Sequence, residues 1–156
     1  MLVNVDRLQR KMDEQGLDGI VATTLGNIYY FTGINNDGLR LFPYEHQTYA
    51  IVTRDRPAEP TFIVSIGFSN QVWMGFDTIR DVITYGKFFR PGPFDDIQLT
   101  TDEEWLRKIS QVIEPEQTPL DALINGLRKL GLADKKVGID ELNFRAVNGL
   151  QSLQER

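Results

Sequence analysis

A chain of 156 residues is long enough to bury one substantial core and too short for two ordinary domains. Its net charge of -5 argues against nucleic acid as a partner, because phosphate contacts need a cationic surface. The absence of cysteine fits a reducing compartment, the charged N-terminus is unlike a signal peptide, and no stretch approaches the ~20 apolar residues of a membrane span. The sequence therefore predicts a soluble cytoplasmic protein without a membrane or nucleic-acid partner.

The first half of the chain predicts one amphipathic helix followed by short strands. Val5, Leu8 and Met12 share one face of that helix, Asn4 is a suitable cap and Gly16 ends the helix. Apolar and β-branched runs predict strands over residues 19–23, 48–53, 61–65 and 82–85. The compact polar turn between the second and third of these strands indicates a hairpin.

The second half of the chain is predominantly helical. Thr101 and Glu104 form a capping-box pattern, and Pro115 stops the helix that follows it. Thr118 with Pro119 at the first helical position begins the next helix. The remaining predicted elements are a helix end at Gly131, a strand over residues 136–139 and a last helix capped by Asn143. Strands alternating with helices predict a single α/β domain, a mixed β-sheet flanked by helices.

The stretch GLDGIVATTLGNIYYFTGI identifies a family resemblance. It reads as a helix end, a buried strand and a short helix that Thr24 can cap. The order resembles the N-terminal domain of creatinase, prolidase and aminopeptidase P, in which an Asn-x-x-Tyr-Leu-Thr-Gly-like turn follows the first strand. The residues that match this turn are Asn27, Tyr30, Thr32 and Gly33, with Phe31 where the family commonly has Leu. The resemblance extends to about Leu153.

The resemblance implies that the catalytic site lies elsewhere. In this family a C-terminal domain of pita-bread shape binds two divalent metal ions through Asp, Asp, His, Glu and Glu, and this chain stops before such a domain would begin. With one histidine, His46, and no cysteine, the chain alone cannot supply an imidazole or thiolate metal cluster. We therefore expect residues 1–156 to be an N-terminal domain that lacks catalytic residues and metal ligands.

The expected role is that of an accessory domain in a metal-dependent Xaa-Pro peptidase or creatinase-like hydrolase. It would contribute dimer contacts and active-site cover, with a second copy and the catalytic domain of the same parent as its partners. The alternative is a non-enzymatic protein-binding module, because a related peptidase-like fold serves in a histone chaperone subunit. A self-contained enzyme that uses His46 with carboxylates is a third hypothesis, for which the sequence identifies neither a nucleophile nor an orienting group.

The polar loop after the Tyr-rich turn contains the candidate substrate-proximal residues. In creatinase and prolidase relatives the corresponding loop leans over the active site of the partner subunit. The resemblance therefore implies that Asn35, Asn36, Asp37 and Arg40 contribute to substrate selection, and a plain surface loop is the alternative. We expect residues 35–40 to be exposed and Tyr30 to be buried.

Two aromatic groups have alternative interpretations. Phe88, Phe89 and Phe94 lie in an apolar, proline-containing loop, which predicts either a cap on the sheet or a contact surface for a subunit or catalytic domain. The second group could line a substrate pocket, although such side chains more often supply core area; it comprises Tyr29, Tyr30, Phe31 and Phe42.

The acidic pair after the last predicted strand also has two interpretations. Asp140 and Glu141 stand where α/β proteins often place ligand groups. The structural interpretation is the stronger one, because Asp140 and Asn143 suit a turn and the start of a helix.

Overall fold

Five short strands form one mixed sheet between two layers of helices in the computed structural model, which describes residues 2–43, 45–79, 81–88 and 97–140. The strands are β1 Gly19–Ala22, β2 Tyr49–Thr53, β3 Thr61–Ser65, β4 Asp81–Tyr85 and β5 Val137–Ile139. The helices are α1 Val5–Gln15, α2 Leu25–Thr32, α3 Asp37–Leu41, α4 Thr101–Arg107 and α5 Pro119–Lys129. A 3₁₀ segment, Ile66–Gly75, follows β3, and a π-helical turn, Lys108–Val112, extends α4. The α/β fold predicted from the sequence is confirmed.

Local capping chemistry fixes the helix ends that the sequence predicts. Asn4 caps α1 by accepting a hydrogen bond from the backbone N–H of Arg7, and Gly16 ends this helix at φ +61°, a left-handed conformation that favours glycine. Thr24 caps α2 and Thr118 caps α5 in the same way. The last predicted helix, from Asn143, lies outside the described residues.

The predicted capping box is wrong by one residue. Thr100 caps α4, accepting from the N–H of Glu103 at 3.3 Å, while Glu103 Oε2 accepts from the N–H of Thr100 at 2.8 Å. The sequence contains two adjacent threonines and two adjacent glutamates, so both registers satisfy the pattern. Glu104 instead forms an ion pair with Arg107 at 2.6 Å, which leaves Glu103 to complete the box.

Four of the five strands run in one direction. The strand order is β4-β3-β2-β1-β5, with β1 parallel to β5 and β3 parallel to β4. β2 is antiparallel to both of its neighbours, so the predicted β2–β3 hairpin is confirmed. The carboxyl ends of β1, β3, β4 and β5 therefore meet at the same edge of the sheet.

The sheet is buried on both faces except along the edge strand β5, which is partly buried. Along β2, Ala50 and Val52 face a cluster with α2 and α4, whereas Tyr49 and Ile51 face α5. α5 approaches closely because Gly126 has no side chain: a Cβ there would lie 2.9 Å from Ile51 Cδ1. Each fully buried aliphatic side chain contributes about 1.5–3 kcal/mol, so the two clusters hold the sheet as a fixed platform for the loops at its ends.

Candidate functional site

Most of the candidate residues lie at one edge of the sheet. β1, β3, β4 and β5 end there and β2 begins there, and we call this the carboxyl edge. It carries the start of α2, the loop that contains α3, the start of the 3₁₀ segment and Asp140. Loops at the carboxyl ends of strands are the usual ligand-binding position in open α/β sheets.

A hydrogen-bonded network joins α3 to the 3₁₀ segment. Asp37 Oδ1 accepts from Arg40, at 3.2 Å from Nε and 2.8 Å from Nη2. Asp37 Oδ2 accepts from Gln71 Nε2 at 3.1 Å. Gln71 Oε1 accepts from the backbone N–H of Asp37 at 3.1 Å and from Asn36 Nδ2 at 3.3 Å. The network holds an ion pair at the surface, with the Arg40 and Asp37 side chains 55% and 46% exposed.

The predicted exposure of residues 35–40 is wrong at three positions. Asn35 and Arg40 are exposed and Asp37 is partly exposed, but Asn36, Gly38 and Leu39 are buried. The segment is not a plain loop, because Asn36 Oδ1 caps α3 by accepting from the N–H of Leu39 at 2.8 Å. The structure thus brings Asp37 and Arg40 together at the surface and places Asn36 beneath them as a support.

The Asp37–Arg40 pair can bind an anionic group. The guanidinium uses Nε and Nη2 on Asp37, and more than half of the side chain remains open to solvent. Guanidinium groups suit carboxylates because their planar array of N–H donors matches the two oxygens. A carboxylate is therefore a type of ligand that the Arg40 guanidinium is suited to recognise.

His46 supports α3 from below. Its ring stands edge-on to Phe68 with centroids 4.9 Å apart, and its Nε2 lies 3.0 Å from Thr48 Oγ1. A Cβ at Gly38 would lie 2.4 Å from Nε2 of this ring, so the backbone of α3 rests directly on the imidazole. Burial lowers the pKa of His46 below its ordinary value, which favours the neutral ring. His46 is therefore a structural residue that supports α3.

Asp140 joins the two halves of the chain. Its carboxylate accepts five hydrogen bonds, from the backbone N–H and the hydroxyl of Thr23 and of Thr24 and from Asn27 Nδ2, at 2.8 to 3.2 Å. It thereby fixes the turn from β1 into α2 against the end of β5. Asp140 is therefore a bracing residue, as the turn interpretation favoured, and Glu141 lies outside the described residues.

The candidate aromatic wall does not form as one surface. Phe31 is buried in the core, and the partly buried Tyr30 packs edge-on to it with centroids 5.4 Å apart. The Tyr30 hydroxyl accepts from the N–H of Asn4 at 2.9 Å, and the expected burial of Tyr30 is confirmed only in part, because the residue is partly buried. Tyr29 and Phe42 are about half exposed.

Phe88 is the described member of the predicted apolar contact surface. It is 64% exposed and lies against the start of the 3₁₀ segment, where a Cβ at Gly67 would come within 3.1 Å of Phe88 Cδ2. Phe89 and Phe94 lie outside the described residues.

Sequence reasoning missed the contribution of the 3₁₀ segment. Gln71 lies on its buried side, whereas Trp73 and Met74 are 58% and 39% exposed. The only signal was a weak one, because residues 66–75 mix apolar and polar side chains without a strand or helix period. A 3₁₀ segment of this length is uncommon, so the pattern has no reliable sequence rule.

Within the described ranges, no three His, Cys, Asp or Glu residues converge to hold a metal ion. The helices of the same ranges include none that is long and apolar enough to cross a membrane.

Comparison with known proteins identifies the type of domain. Residues 4–65 match the family model of the creatinase/prolidase N-terminal domain. The chain is also similar to the N-terminal domain of Xaa-Pro dipeptidase from Lactobacillus brevis, at 12% identity and a TM-score of 0.60, over 97% of this chain and 87% of that chain. The fold is that of a creatinase/prolidase N-terminal domain. The resemblance seen in the sequence is confirmed.

Two further structures share this creatinase/prolidase-type fold. A proline dipeptidase from Streptococcus pneumoniae has 19% identity and a TM-score of 0.59, over 97% of this chain and 85% of that chain. A dipeptidase from Pyrococcus horikoshii has 16% identity and a TM-score of 0.59, over 97% of this chain. The chain spans only 32% of the P. horikoshii protein. No curated protein sequence matches the chain.

The family match covers part of the candidate site. Residues 4–65 run from α1 through β3 and contain Asp37 and Arg40. Gln71, Phe88 and Asp140 lie beyond the matched segment. Gln71 and Asp140 therefore hold the matched segment in place from outside it.

Proposed function

We propose that this chain is the non-catalytic N-terminal domain of a metal-dependent Xaa-Pro peptidase, in which it contacts the catalytic part and a second copy and helps to cover the active site. The observation that carries the proposal is the match of residues 4–65 to the creatinase/prolidase N-terminal domain, on a fold shared with N-terminal domains of Xaa-Pro dipeptidases. We also propose that the protein is cytoplasmic, as the cysteine-free sequence predicts.

The catalytic chemistry belongs to the other part of the parent protein. Two divalent metal ions there would act as Lewis acids in hydrolysis of the scissile C–N bond. The described residues of this chain do not fit such ions, because they offer no cluster of metal-ligating side chains. The contribution of this chain is to recognise and enclose the substrate.

The Asp37–Arg40 pair is the part of this chain that we assign to substrate selection. Arg40 presents a partly free guanidinium at the carboxyl edge, held in orientation by Asp37. A dipeptide substrate carries a C-terminal carboxylate that such a group binds well. Asn35 is exposed beside this pair and can add a hydrogen bond, whereas the buried Asn36 serves the pair as a helix cap.

In the full-length protein, we expect Arg40→Ala to raise KM for a Xaa-Pro dipeptide by roughly fivefold to tenfold, since one charge-assisted hydrogen bond at a partly solvated site is lost. We expect kcat to change little, because the substitution does not touch the reacting bond. Steady-state kinetics measure both constants.

Arg56→Ala is the matched control for this measurement. Arg56 is also an exposed arginine paired with an aspartate, Asp55, but it follows the end of β2 at the opposite edge of the sheet. An Arg40→Ala enzyme with the KM of the wild type would contradict the role of the α3 loop in substrate selection.

The exposed apolar side chains support a protein contact at the carboxyl edge. Phe88 is 64% exposed, as expected for a residue that a partner covers. We expect the chain to self-associate or to bind separately expressed catalytic domain, and a Phe88→Ser and Phe89→Ser variant to do so less. Sedimentation at several concentrations measures this.

The control for sedimentation is Val112→Ser, which alters an equally exposed apolar residue on the π-helical turn. A wild-type chain that stays monomeric and does not bind the catalytic domain would contradict the proposed accessory role. The fold assignment would be unaffected. Association with an unrelated protein alone would favour the non-enzymatic binding module.

A further inference from the structure

Gln71 is a buried glutamine whose amide oxygen and amide nitrogen both form hydrogen bonds within the α3 network. It is 6% exposed and lies 34 residues along the chain from Asp37. Its orientation is fixed by its partners, because the N–H of Asp37 can meet only the amide oxygen and the Asp37 carboxylate can meet only the amide nitrogen. Gln71 therefore binds the backbone and the side chain of Asp37 at the same time.

This double contact determines where the Asp37 carboxylate points. Gln71 Nε2 donates a hydrogen bond to Asp37 Oδ2 at 3.1 Å. The other carboxylate oxygen, Asp37 Oδ1, accepts from Nε and Nη2 of Arg40. α3 has only five residues and cannot hold its own conformation in isolation. The direction of Arg40 thus depends on a residue of the 3₁₀ segment rather than on α3 itself.

We infer that Gln71 is a positioning residue, which aims the Arg40 guanidinium at the substrate by holding Asp37. The substrate in this inference rests on the proposed function. The positioning role of Gln71 rests on the geometry of the network. Gln71 does not meet the substrate itself, since it lies beneath α3 and is almost fully buried.

The first test observes the Arg40 side chain in this chain by NMR. In the wild type, we expect the Nε–H of Arg40 to give a resolved signal that exchanges slowly with water. Gln71→Met keeps the size of the side chain and removes its hydrogen bonds, so exchange of this signal should accelerate about tenfold. Gln98→Met, at an exposed glutamine before α4, is the matched control and should leave the signal unchanged.

A second variant separates positioning from simple support of the fold. Gln71→Glu preserves the size and the acceptor that faces the Asp37 N–H, but near neutral pH it places a second carboxylate against Asp37 Oδ2. We expect the Arg40 signal to be lost at neutral pH and to return on acidification, when the introduced glutamate is protonated and can donate. The backbone amide spectrum must stay native at both pH values, because a merely structural role would change that spectrum together with the Arg40 signal.

The kinetic test uses the full-length protein. Gln71→Met should raise KM for a Xaa-Pro dipeptide about threefold to tenfold with kcat nearly unchanged, as Arg40→Ala does. The double variant Gln71→Met with Arg40→Ala should be no worse than Arg40→Ala alone, because Gln71 acts through Arg40.

The outcomes separate the positioning inference from the proposed function. If Arg40→Ala leaves KM unchanged, the substrate role fails, and the NMR result alone decides whether Gln71 orients Arg40. Folded Gln71 variants with the wild-type Arg40 signal would overturn the inference. Loss of the fold in both variants would also overturn it, since Gln71 would then serve the core.

Discussion

Replacing Asp140 with asparagine is expected to lower the free energy of unfolding by about 2 kcal/mol near neutral pH. The carboxylate accepts five hydrogen bonds from Thr23, Thr24 and Asn27, and an amide offers only one accepting oxygen to these donors. The loss is smaller than the sum of five bonds because Asp140 is at the surface, where water replaces part of what the carboxylate provided. Urea unfolding of both proteins measures the difference.

The effect of Asp140→Asn should depend on pH. Burial raises the pKa of the Asp140 carboxyl, but the hydrogen bonds from Asn27, Thr23 and Thr24 outweigh burial and hold the pKa below its ordinary value. A carboxyl with a depressed pKa stabilises the folded state fully above the unfolded value of about 3.9, and this stabilisation is lost as the pH falls through the folded value. The wild type should therefore be more stable than the Asp140→Asn protein at neutral pH, and this difference in stability should disappear only in acid.

Asp134→Asn is the matched control for this prediction, because Asp134 is an exposed aspartate in the turn before β5. We expect it to change stability by less than about 0.5 kcal/mol, as surface substitutions usually do. An Asp140→Asn protein that is as stable as the Asp134→Asn protein at pH 7 would show that the carboxylate does not brace the β1–α2 turn.

Local chemistry explains which elements could be predicted from the sequence. The ends of α1 and α5 followed from Asn4, Gly16 and Thr118, since a cap acts on backbone groups two or three residues away. The α4 box was placed one residue late because adjacent threonines and glutamates satisfy the same local rule twice. Ambiguity of this kind is resolved only by the partner that each side chain finds in the fold.

The candidate site was predictable only in part, because its decisive contacts are distant in sequence. Asp37 and Arg40 were identified from the loop, but the bond from Asp37 to Gln71 spans 34 residues. Asp140 and Asn27 were each noted separately, and they lie 113 residues apart. No local sequence pattern pairs residues that are so far apart. The sequence therefore predicted a polar loop at the position where the structure has the capped helix α3, which is hydrogen-bonded to the buried amide of Gln71.

We expect the purified 156-residue chain to hydrolyse neither a Xaa-Pro dipeptide nor creatine and to bind no catalytic divalent metal. A metal-dependent hydrolase needs preorganised ligands around an activated water, and the described residues bring no three metal-ligating side chains together. The imidazole of His46 is engaged by Thr48 and packed against Phe68 and Gly38. Hydrolysis assays with and without added Mn²⁺, and metal titration by calorimetry, measure these properties.

The proposed full-length peptidase, assayed alongside, is the control that shows the assay can detect turnover. Enzymes accelerate such reactions by about a millionfold or more, so a trace of contaminating peptidase would give a signal, and any activity must follow the chain through successive purification steps. Chelator-sensitive turnover that copurifies with the chain and disappears in a His46→Gln variant would overturn the non-catalytic assignment. It would instead favour the self-contained enzyme, with His46 released from its packing beneath α3 to act on substrate.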